Sequence, residues 1–250
     1  MTRHASGQIL IATMLLAAAQ AHAQWSSKSQ GGFVMARGNT EAETANAKFE
    51  IAFEGENWKH SFDSALLYGQ SSDIATGQRW DLAWQTNNKI SDRSFWFGGL
   101  RYEDDRYSGF DYQGTVSVGA GRAFIDTDST KLSAQLGVGV RRLRPEELIR
   151  NERLEVVDRL PGEIEDNVIG NATVKFEHAF NESTKILNTL LSETGSANTL
   201  TQNEFAIQVK MSRLFALSVG LKVRNNTEPP PELEQTDVLT TLNLVYEVKD

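Results

Sequence analysis

The sequence of 250 residues contains no cysteine. Disulfide bonds are therefore excluded, and packing and backbone pairing must hold the fold together. The chain also lacks a set of His and Cys residues at metal-ligand spacing and a glycine-rich loop of the kind that cradles phosphate. We therefore predict no metal site, no cofactor and no catalytic residues.

A long hydrophobic run is missing everywhere except near the amino terminus. Residues 9–19 are mostly apolar and precede small residues at 21 and 23, which is the pattern of a secretory signal peptide cleaved before Gln24. The run is too short to span a bilayer, which needs about 20 apolar residues. We predict a signal peptide over 1–23 and one domain over 24–250, with an uncleaved anchor as the alternative. No cysteine follows the small residues, so a lipoprotein is excluded.

Basic residues are too few for a protein that binds nucleic acid. The chain has 25 basic and 33 acidic residues, and the predicted signal peptide contains one of the basic ones. The mature chain therefore has a net charge of 24 − 33 = −9. Binding to nucleic acid requires clustered Lys and Arg, so we predict no nucleic-acid partner.

Apolar and polar residues alternate with period two through most of the remaining chain, which is typical of strands with one apolar and one polar face. In residues 78–87, Trp80 and Trp84 share one face, and Arg79 and Asp81 share the other. About twelve segments show this pattern. The predicted strands are 28–38, 43–54, 58–71, 78–90, 94–104, 110–125, 131–142, 166–178, 184–194, 199–212, 216–226 and 236–248.

The connections indicate how these strands are arranged. Tight turns alternate with mostly longer connections, and the longest is 143–165. Bacterial barrels with both termini in the periplasm have short periplasmic turns, longer outer loops and an even strand number. We therefore predict an all-β fold, a transmembrane antiparallel up-and-down barrel of about 12 strands with both termini periplasmic. The alternative is a soluble β-sandwich, which the charges in the middle of the polar faces disfavour.

Charged residues on the polar faces are predicted to face the lumen. They are Lys48, Glu50, Lys59, Asp63, Arg79, Asp81, Arg101, Glu103, Lys131, Arg141, Lys175, Glu177, Glu204, Lys210, Lys222 and Arg224. A barrel of this size has a narrow interior, so mixed charges can bridge and plug it. The sequence leaves open whether the lumen is plugged.

Two connections carry further alternatives. Glu103, Asp104 and Asp105, with Asp111, could bind Ca²⁺ or Mg²⁺, or could form salt bridges with neighbouring arginines. In the 143–165 connection, the residues from Pro145 could open a short helix. This connection could also constrict the lumen, contact lipopolysaccharide outside the barrel, or be an ordinary mobile loop.

The segment RYEDDRYSGFDY at 101–112, with GNTE at 38–41 and RNNTEPPP at 224–231, resembles the YdiY-like family of salt-induced outer-membrane proteins of Gram-negative bacteria. The resemblance covers essentially the whole mature chain and implies an outer-membrane β-barrel of unknown function, with a family name that suggests a response to salt. It implies no activity, ligand or cofactor. Such barrels usually end on an aromatic residue that the assembly machinery recognises. In this sequence Tyr246 and Val248 would have to act as that recognition signal.

Two functions are compatible with this fold. The first is a non-enzymatic barrel of the outer membrane, either structural and osmoadaptive or a narrow pore for small solutes. The second is a lipid-modifying enzyme of the lipase or deacylase type. His60 precedes Ser61, but adjacent strand residues face opposite sides and cannot form a nucleophile–base pair with each other. A serine on a neighbouring strand could still pair with His60. We therefore predict that the protein is not an enzyme. Its predicted partners are outer-membrane lipid, lipopolysaccharide and the barrel-assembly machinery. The sequence does not predict the oligomeric state.

Overall fold

The computed structural model describes residues 24–36, 42–71, 74–105, 110–152, 156–196, 198–229 and 234–249. The predicted signal peptide lies outside these ranges, as do residues 38–41, Arg106 and residues 230–233. Across the described ranges, no helix is long and apolar enough to cross a membrane.

Thirteen strands account for most of the described residues. They are β1 (Gln24–Ala36), β2 (Ala42–Glu54), β3 (Trp58–Ser71), β4 (Ile74–Lys89), β5 (Ser94–Asp105), β6 (Phe110–Asp126), β7 (Thr130–Arg150), β8 (Val156–Pro161), β9 (Glu165–Ala179), β10 (Thr184–Gly195), β11 (Thr199–Lys210), β12 (Phe215–Asn226) and β13 (Thr236–Lys249).

Twelve of these strands close into one antiparallel ring. Each pairs with its neighbour in sequence, except that β7 pairs with β9 past β8, and β1 pairs with β13 to close the ring. Closure leaves no strand edge unpaired around the ring, which is what a sheet needs in lipid. The prediction of an all-β antiparallel barrel of about 12 strands is confirmed.

The two described chain ends lie at the same end of the barrel, because Ser26 pairs with Lys249. We call this the turn end, since the short connections 55–57, 90–93, 127–129, 180–183 and 211–214 lie there. The opposite end, which carries the connections between β5 and β6, β7 and β9, and β12 and β13, is the loop end.

Apolar side chains cover the outside of the ring. Leu136, Val138 and Val168 are 70%, 63% and 74% exposed. On β3, Trp58 near the turn end and Tyr68 near the loop end are ten residues apart and share the outward face. Ten residues of strand tilted by about 40° span about 25 Å along the barrel axis, which is the height of the apolar band of membrane barrels.

The connection between β7 and β9 is a hairpin, so the short helix that the residues from Pro145 could open does not form. β7 continues to Arg150, and β8 pairs back on it, with Glu146 opposite Pro161 and Leu148 opposite Arg159. A four-residue helix would leave most of its backbone N–H and C=O groups unpaired, whereas the hairpin pairs them. Other predicted strand bounds differ from the observed ones by up to four residues.

Candidate functional site in the barrel lumen

The charged residues predicted to face the lumen all lie on strand faces opposite the exposed apolar side chains. Directly paired residues in an antiparallel sheet share a face. Glu50 pairs with Asp63, and Glu204 pairs with Lys222, which places these carboxylates and ammonium groups together on the inner wall.

Two ion pairs cross the lumen towards the loop end. Arg101 on β5 donates from Nη2 to Glu193 Oε2 on β10 at 2.6 Å. Arg224 Nη2 on β12 lies 2.6 Å from Glu103 Oε1 on β5, and Arg101 Nη1 lies 3.1 Å from Glu103 Oε2. Because β5 neighbours neither β10 nor β12, these contacts must pass through the interior.

Two further residues complete this group. Arg79 Nη1 and Arg224 Nη1 lie 3.9 and 3.7 Å from Asp105 Oδ2, and Arg79 Nε lies 3.8 Å from Asp81. We define the loop-end ion cluster as Arg79, Arg101, Glu103, Asp105, Glu193 and Arg224. The side chains of Glu103, Glu193 and Arg224 are only 5%, 2% and 6% exposed, so little water reaches these charges.

Apolar side chains pack beside the loop-end ion cluster. Leu143, Ile169 and Leu200 project inward from β7, β9 and β11 and are at most 2% exposed. Arg141 is fully buried and donates from Nη2 to the backbone oxygen of Asn198 at 2.9 Å. The lumen is therefore packed near the loop end by both ion pairs and hydrocarbon.

The middle of the lumen is more open to water. Lys48 Nζ lies 2.8 Å from Glu50 and 3.6 Å from Glu204, which also lies 2.8 Å from Lys222 Nζ. The side chains of Lys48 and Glu204 are each 33% exposed. Water access is therefore greater at this level than at Glu103, Glu193 and Arg224 of the loop-end ion cluster.

Phenyl rings narrow the lumen on one side. Phe95 and Phe97 project inward from β5, where a Cβ on Gly121 would collide with the Phe95 ring and one on Gly137 would lie 2.8 Å from the Phe97 ring. The glycines on β6 and β7 therefore make room for the two rings. This explains why β5 has apolar residues on its polar face.

The remaining predicted lumen residues lie towards the turn end. Lys59 Nζ lies 3.0 Å from Glu54, and Lys185 Nζ lies 3.2 Å from Glu177. Exposed lysines at the inward positions of β7, β9 and β11 complete the set: Lys131, Lys175 and Lys210.

Sequence reasoning missed Asp105 and Glu193 as members of the loop-end ion cluster. Continuing the period-two pattern of β5 from Glu103 would have found Asp105. Glu193 lies in a segment whose alternation fits either phase, so only its pairing with Leu200 on β11 places it inside.

The histidine candidates for catalysis lie on the outer surface. The His60 ring stacks between Trp58 and Trp84 at centroid distances of 6.2 and 6.3 Å, while Ser61 faces inward. His178 Nδ1 lies 2.8 Å from Thr130 Oγ1 near the turn end.

A groove of about 630 Å³ runs along the outer surface from β3 to β9. Its lining is mostly outward apolar and aromatic side chains, including Trp84 and Tyr102, and the bidentate Arg142–Asp166 ion pair lies at its border. The groove therefore belongs to the lipid-facing wall and not to the lumen.

The acidic residues near 103–111 are divided between faces. Glu103 and Asp105 turn inward to arginines, while Asp111 Oδ2 lies 3.5 Å from Arg144 Nη1. In the described ranges, no group of three or more His, Asp or Glu is arranged to hold a metal ion. Of the two alternatives considered for these acidic residues, a cation site or salt bridges with neighbouring arginines, the structure contains the salt bridges.

Comparison with known proteins gives one family and several similar solved structures. A model of the family "Protein of unknown function, DUF481" matches residues 30–248. "Uncharacterized protein YdiY" of Escherichia coli (strain K12) is 24% identical over 217 residues, which is 86% of this chain and 80% of that protein.

Several solved structures are similar to this chain at low identity. The translocator domain of autotransporter NalP from Neisseria meningitidis has a TM-score of 0.46 and 12% identity, over 97% of this chain and 95% of that one. The COG4313 outer membrane channel from Pseudomonas putida F1 has a TM-score of 0.46 and 8% identity, over 91% and 95%.

Proposed function

The chain belongs to the DUF481 family of proteins of unknown function, as the YdiY-like resemblance predicted, and we propose that it is a non-enzymatic outer-membrane β-barrel whose lumen is sealed near the loop end at rest. Its role is structural or osmoadaptive, and a solute path requires the loop-end ion cluster to rearrange. The observation that carries this proposal is that two ion pairs cross the lumen and that their Glu103, Glu193 and Arg224 side chains are at most 6% exposed.

The outer wall supports placement in an outer membrane. Aromatic side chains lie at both borders of the apolar band. The ring centroids of Phe215 and Tyr246 are 5.3 Å apart near the turn end, and those of Trp80 and Tyr102 are 5.1 Å apart near the loop end. Such belts are typical of membrane–water interfaces. On this proposal the short turns are periplasmic, the groove contacts lipid or lipopolysaccharide, and Tyr246 is available to the barrel-assembly machinery.

The seal is stable because opening it would separate buried charges. Removing one partner from a buried ion pair typically costs about 3–5 kcal/mol, since the other charge remains uncompensated. Salt does not replace the partner: at about 1 M the Debye length is about 3 Å, but buried pairs are screened far less than exposed ones. We therefore expect the barrel to stay closed at high salt.

The placement of the histidines supports a non-enzymatic role over a lipid-modifying one. A serine hydrolase needs its nucleophile within hydrogen-bond reach of a base. His60 and its neighbour Ser61 lie on opposite sides of the wall, and the contact of His178 is with a threonine. Mass analysis of lipid A from cells with and without the protein tests the enzyme directly, and a modified lipid A that depends on the protein would overturn this part.

Conductance in planar bilayers tests the seal. We expect the wild-type protein to show no steady open current, at low or high salt, and Arg101→Ser/Arg224→Ser to conduct because it removes the two side chains that cross the lumen. The control Arg93→Ser/Arg213→Ser removes two exposed arginines from the turn end and should stay silent. A wild-type current as large as that of the Arg101→Ser/Arg224→Ser variant would overturn the proposal.

A further inference from the structure

Every lysine of the sequence lies at an inward position of a strand. The chain has ten, and the strand pairings place all of them on the lumen side of the wall. They are Lys28, Lys48, Lys59, Lys89, Lys131, Lys175, Lys185, Lys210, Lys222 and Lys249. Lysine is ordinarily among the most exposed residue types, so its confinement to the interior needs an explanation.

These lysines occupy the part of the lumen between the loop-end ion cluster and the turn end, which we call the lysine vestibule. The ten lysines face eight carboxylates on the same wall, which leaves two positive charges in excess. The carboxylates are Glu50, Glu54, Asp63, Asp81, Asp126, Glu177, Glu204 and Glu247. The whole chain is acidic by eight charges, so the vestibule differs in sign from the protein that surrounds it.

Several of these lysines have no carboxylate within ion-pair distance. In the described part of the chain, no carboxylate oxygen lies within 4.0 Å of the ammonium groups of Lys28, Lys131, Lys175 or Lys210, whereas the arginines of the loop-end ion cluster have partners at 2.6–3.9 Å. The charges of the loop-end ion cluster are therefore matched, while those of the vestibule are not.

Lys28 and Lys175 approach the same carboxylate from distant strands. Lys28 projects from β1 and Lys175 from β9, and both interact electrostatically with Glu50 on β2. Lys28 also lies near enough to Lys48 and Lys185 for their like charges to interact. Such a group of ammonium ions repels itself, and an anion with more than one charge would relieve that repulsion.

We propose that the lysine vestibule is a binding site for polyanions that carry phosphate or carboxylate groups, which enter from the turn end and contact Lys28 and Lys175. The ammonium group offers three donors on a flexible stem, so it adapts to oxyanions of different shape. Its hydrogen bonds to oxyanions are charge-assisted and about twice as strong as neutral ones. The exposed lysines at the mouth, including Lys131 and Lys249, favour capture from bulk water.

This site concerns only the half of the lumen next to the turn end. Polyanion binding there needs no current through the barrel. The binding proposal and the proposal of a sealed lumen can therefore be refuted independently. An open wild-type barrel that still bound polyanions would overturn the sealed lumen and leave the vestibule site intact.

Isothermal titration calorimetry of the full protein in nonionic detergent tests the site, with inorganic tripolyphosphate as the phosphate probe and citrate as the carboxylate probe. We expect saturable binding of at least one probe that weakens as salt rises. Lys28→Gln/Lys175→Gln should lower the affinity by about tenfold or more, since each lost charge-assisted hydrogen bond is worth a factor of this order. Lys131→Gln/Lys210→Gln, at the mouth, should lower it by a smaller factor.

The matched control is Arg93→Gln/Arg213→Gln, which removes two positive charges from the same end but from exposed turns outside the lumen. Its affinity should stay within about twofold of the wild type. The proposal is overturned if the wild type binds neither probe, or if this control loses as much affinity as Lys28→Gln/Lys175→Gln. If the latter variant does not fold, the mouth variant is compared with the control in its place.

Discussion

Gly31 and Gly32 are adjacent in β1, yet they meet different surroundings where the first and last strands close the ring. A Cβ on Gly31 would have no atom within 4 Å, because this position faces outward. At Gly32, a Cβ would lie 2.5 Å from the Leu242 backbone oxygen and 2.8 Å from Asn46 Oδ1. The Asn46 amide donates to Asn243 Oδ1 at 3.0 Å across this position, which links β2 to β13 over β1.

We therefore expect Gly32→Ala to destabilise the barrel by about 1–3 kcal/mol, because the added carbon overpacks the closing seam. Gly31→Ala should change the free energy of unfolding by less than about 0.5 kcal/mol. Urea unfolding followed by the mobility of folded and unfolded protein on unheated gels measures both. Equal midpoints for the two variants would contradict this account of the seam.

Arg101 and Arg141 are both inward arginines near the loop end, but only Arg101 has a carboxylate partner within ion-pair distance among the described residues. Replacing Arg101 would leave the nearly buried Glu193 without its arginine, whereas Arg141 donates to a backbone oxygen and its Nε and Nη1 have no hydrogen-bond partner. A buried charge that loses its partner is costly, while an apolar replacement of a buried ion can be neutral or stabilising.

The expected result is that Arg101→Met destabilises the barrel by about 3 kcal/mol or more. Arg141→Met should cost less than about 1 kcal/mol, or stabilise, because only one hydrogen bond to a neutral oxygen is lost. The same urea titration compares them. A larger loss for Arg141→Met than for Arg101→Met would show that the assignment of partners is wrong.

At the scale of strands, the hairpin of β7 and β8 projects past the closed ring. Among the described residues β8 pairs only with β7, and the Gly162 amide donates to the Pro145 oxygen at 2.7 Å at the base of the hairpin. Below that base, β7 and β9 stay paired from Leu143 opposite Glu165 down to Thr130 opposite His178. The ring therefore does not need the hairpin to close.

Deletion of residues 146–161 joins Pro145 to Gly162 and leaves a five-residue connection between the paired residues Leu143 and Glu165, a common hairpin loop length. We expect this variant to fold and to keep the gel mobility of a closed barrel. Thr173→Pro, which removes a ladder hydrogen bond within β9, should prevent folding and serves as the contrast. Failure of the deletion variant to fold would place β8 among the elements that hold the ring together.

The elements themselves were largely predictable from sequence, because a period of two identifies strands wherever one face meets lipid and the other meets polar groups. The alternation predicted β3 at its observed bounds, 58–71, and alternating connection lengths predicted antiparallel closure. The hairpin was not predicted, since Pro145 and neighbouring charges suit several local structures and only pairing with β8 selects one. Contacts such as Arg101–Glu193 were out of reach, because they depend on the position of β5 relative to β10 around the ring.

At the scale of the whole molecule, the side chains are arranged in the inverse of the order found in a water-soluble protein. Apolar groups such as Val138 lie outside, and most of the charges of the spanning strands lie inside. This arrangement is stable only if acyl chains cover the outer wall, because a contiguous exposed apolar surface of this size favours association in water. The two ends of the lumen then differ, with matched ion pairs near the loop end and surplus lysines towards the turn end.

Labelling of single cysteines tests that arrangement most directly, because the natural sequence contains no cysteine that would react. Ser133 and Val138 lie on the same strand and face opposite sides of the wall. In liposomes, a water-soluble maleimide should label Ser133→Cys and leave Val138→Cys unlabelled until the protein is unfolded. Rapid labelling of Val138→Cys in the intact liposomes, with protection of Ser133→Cys, would contradict the claim that the apolar face of the barrel contacts lipid and the polar face lines the lumen.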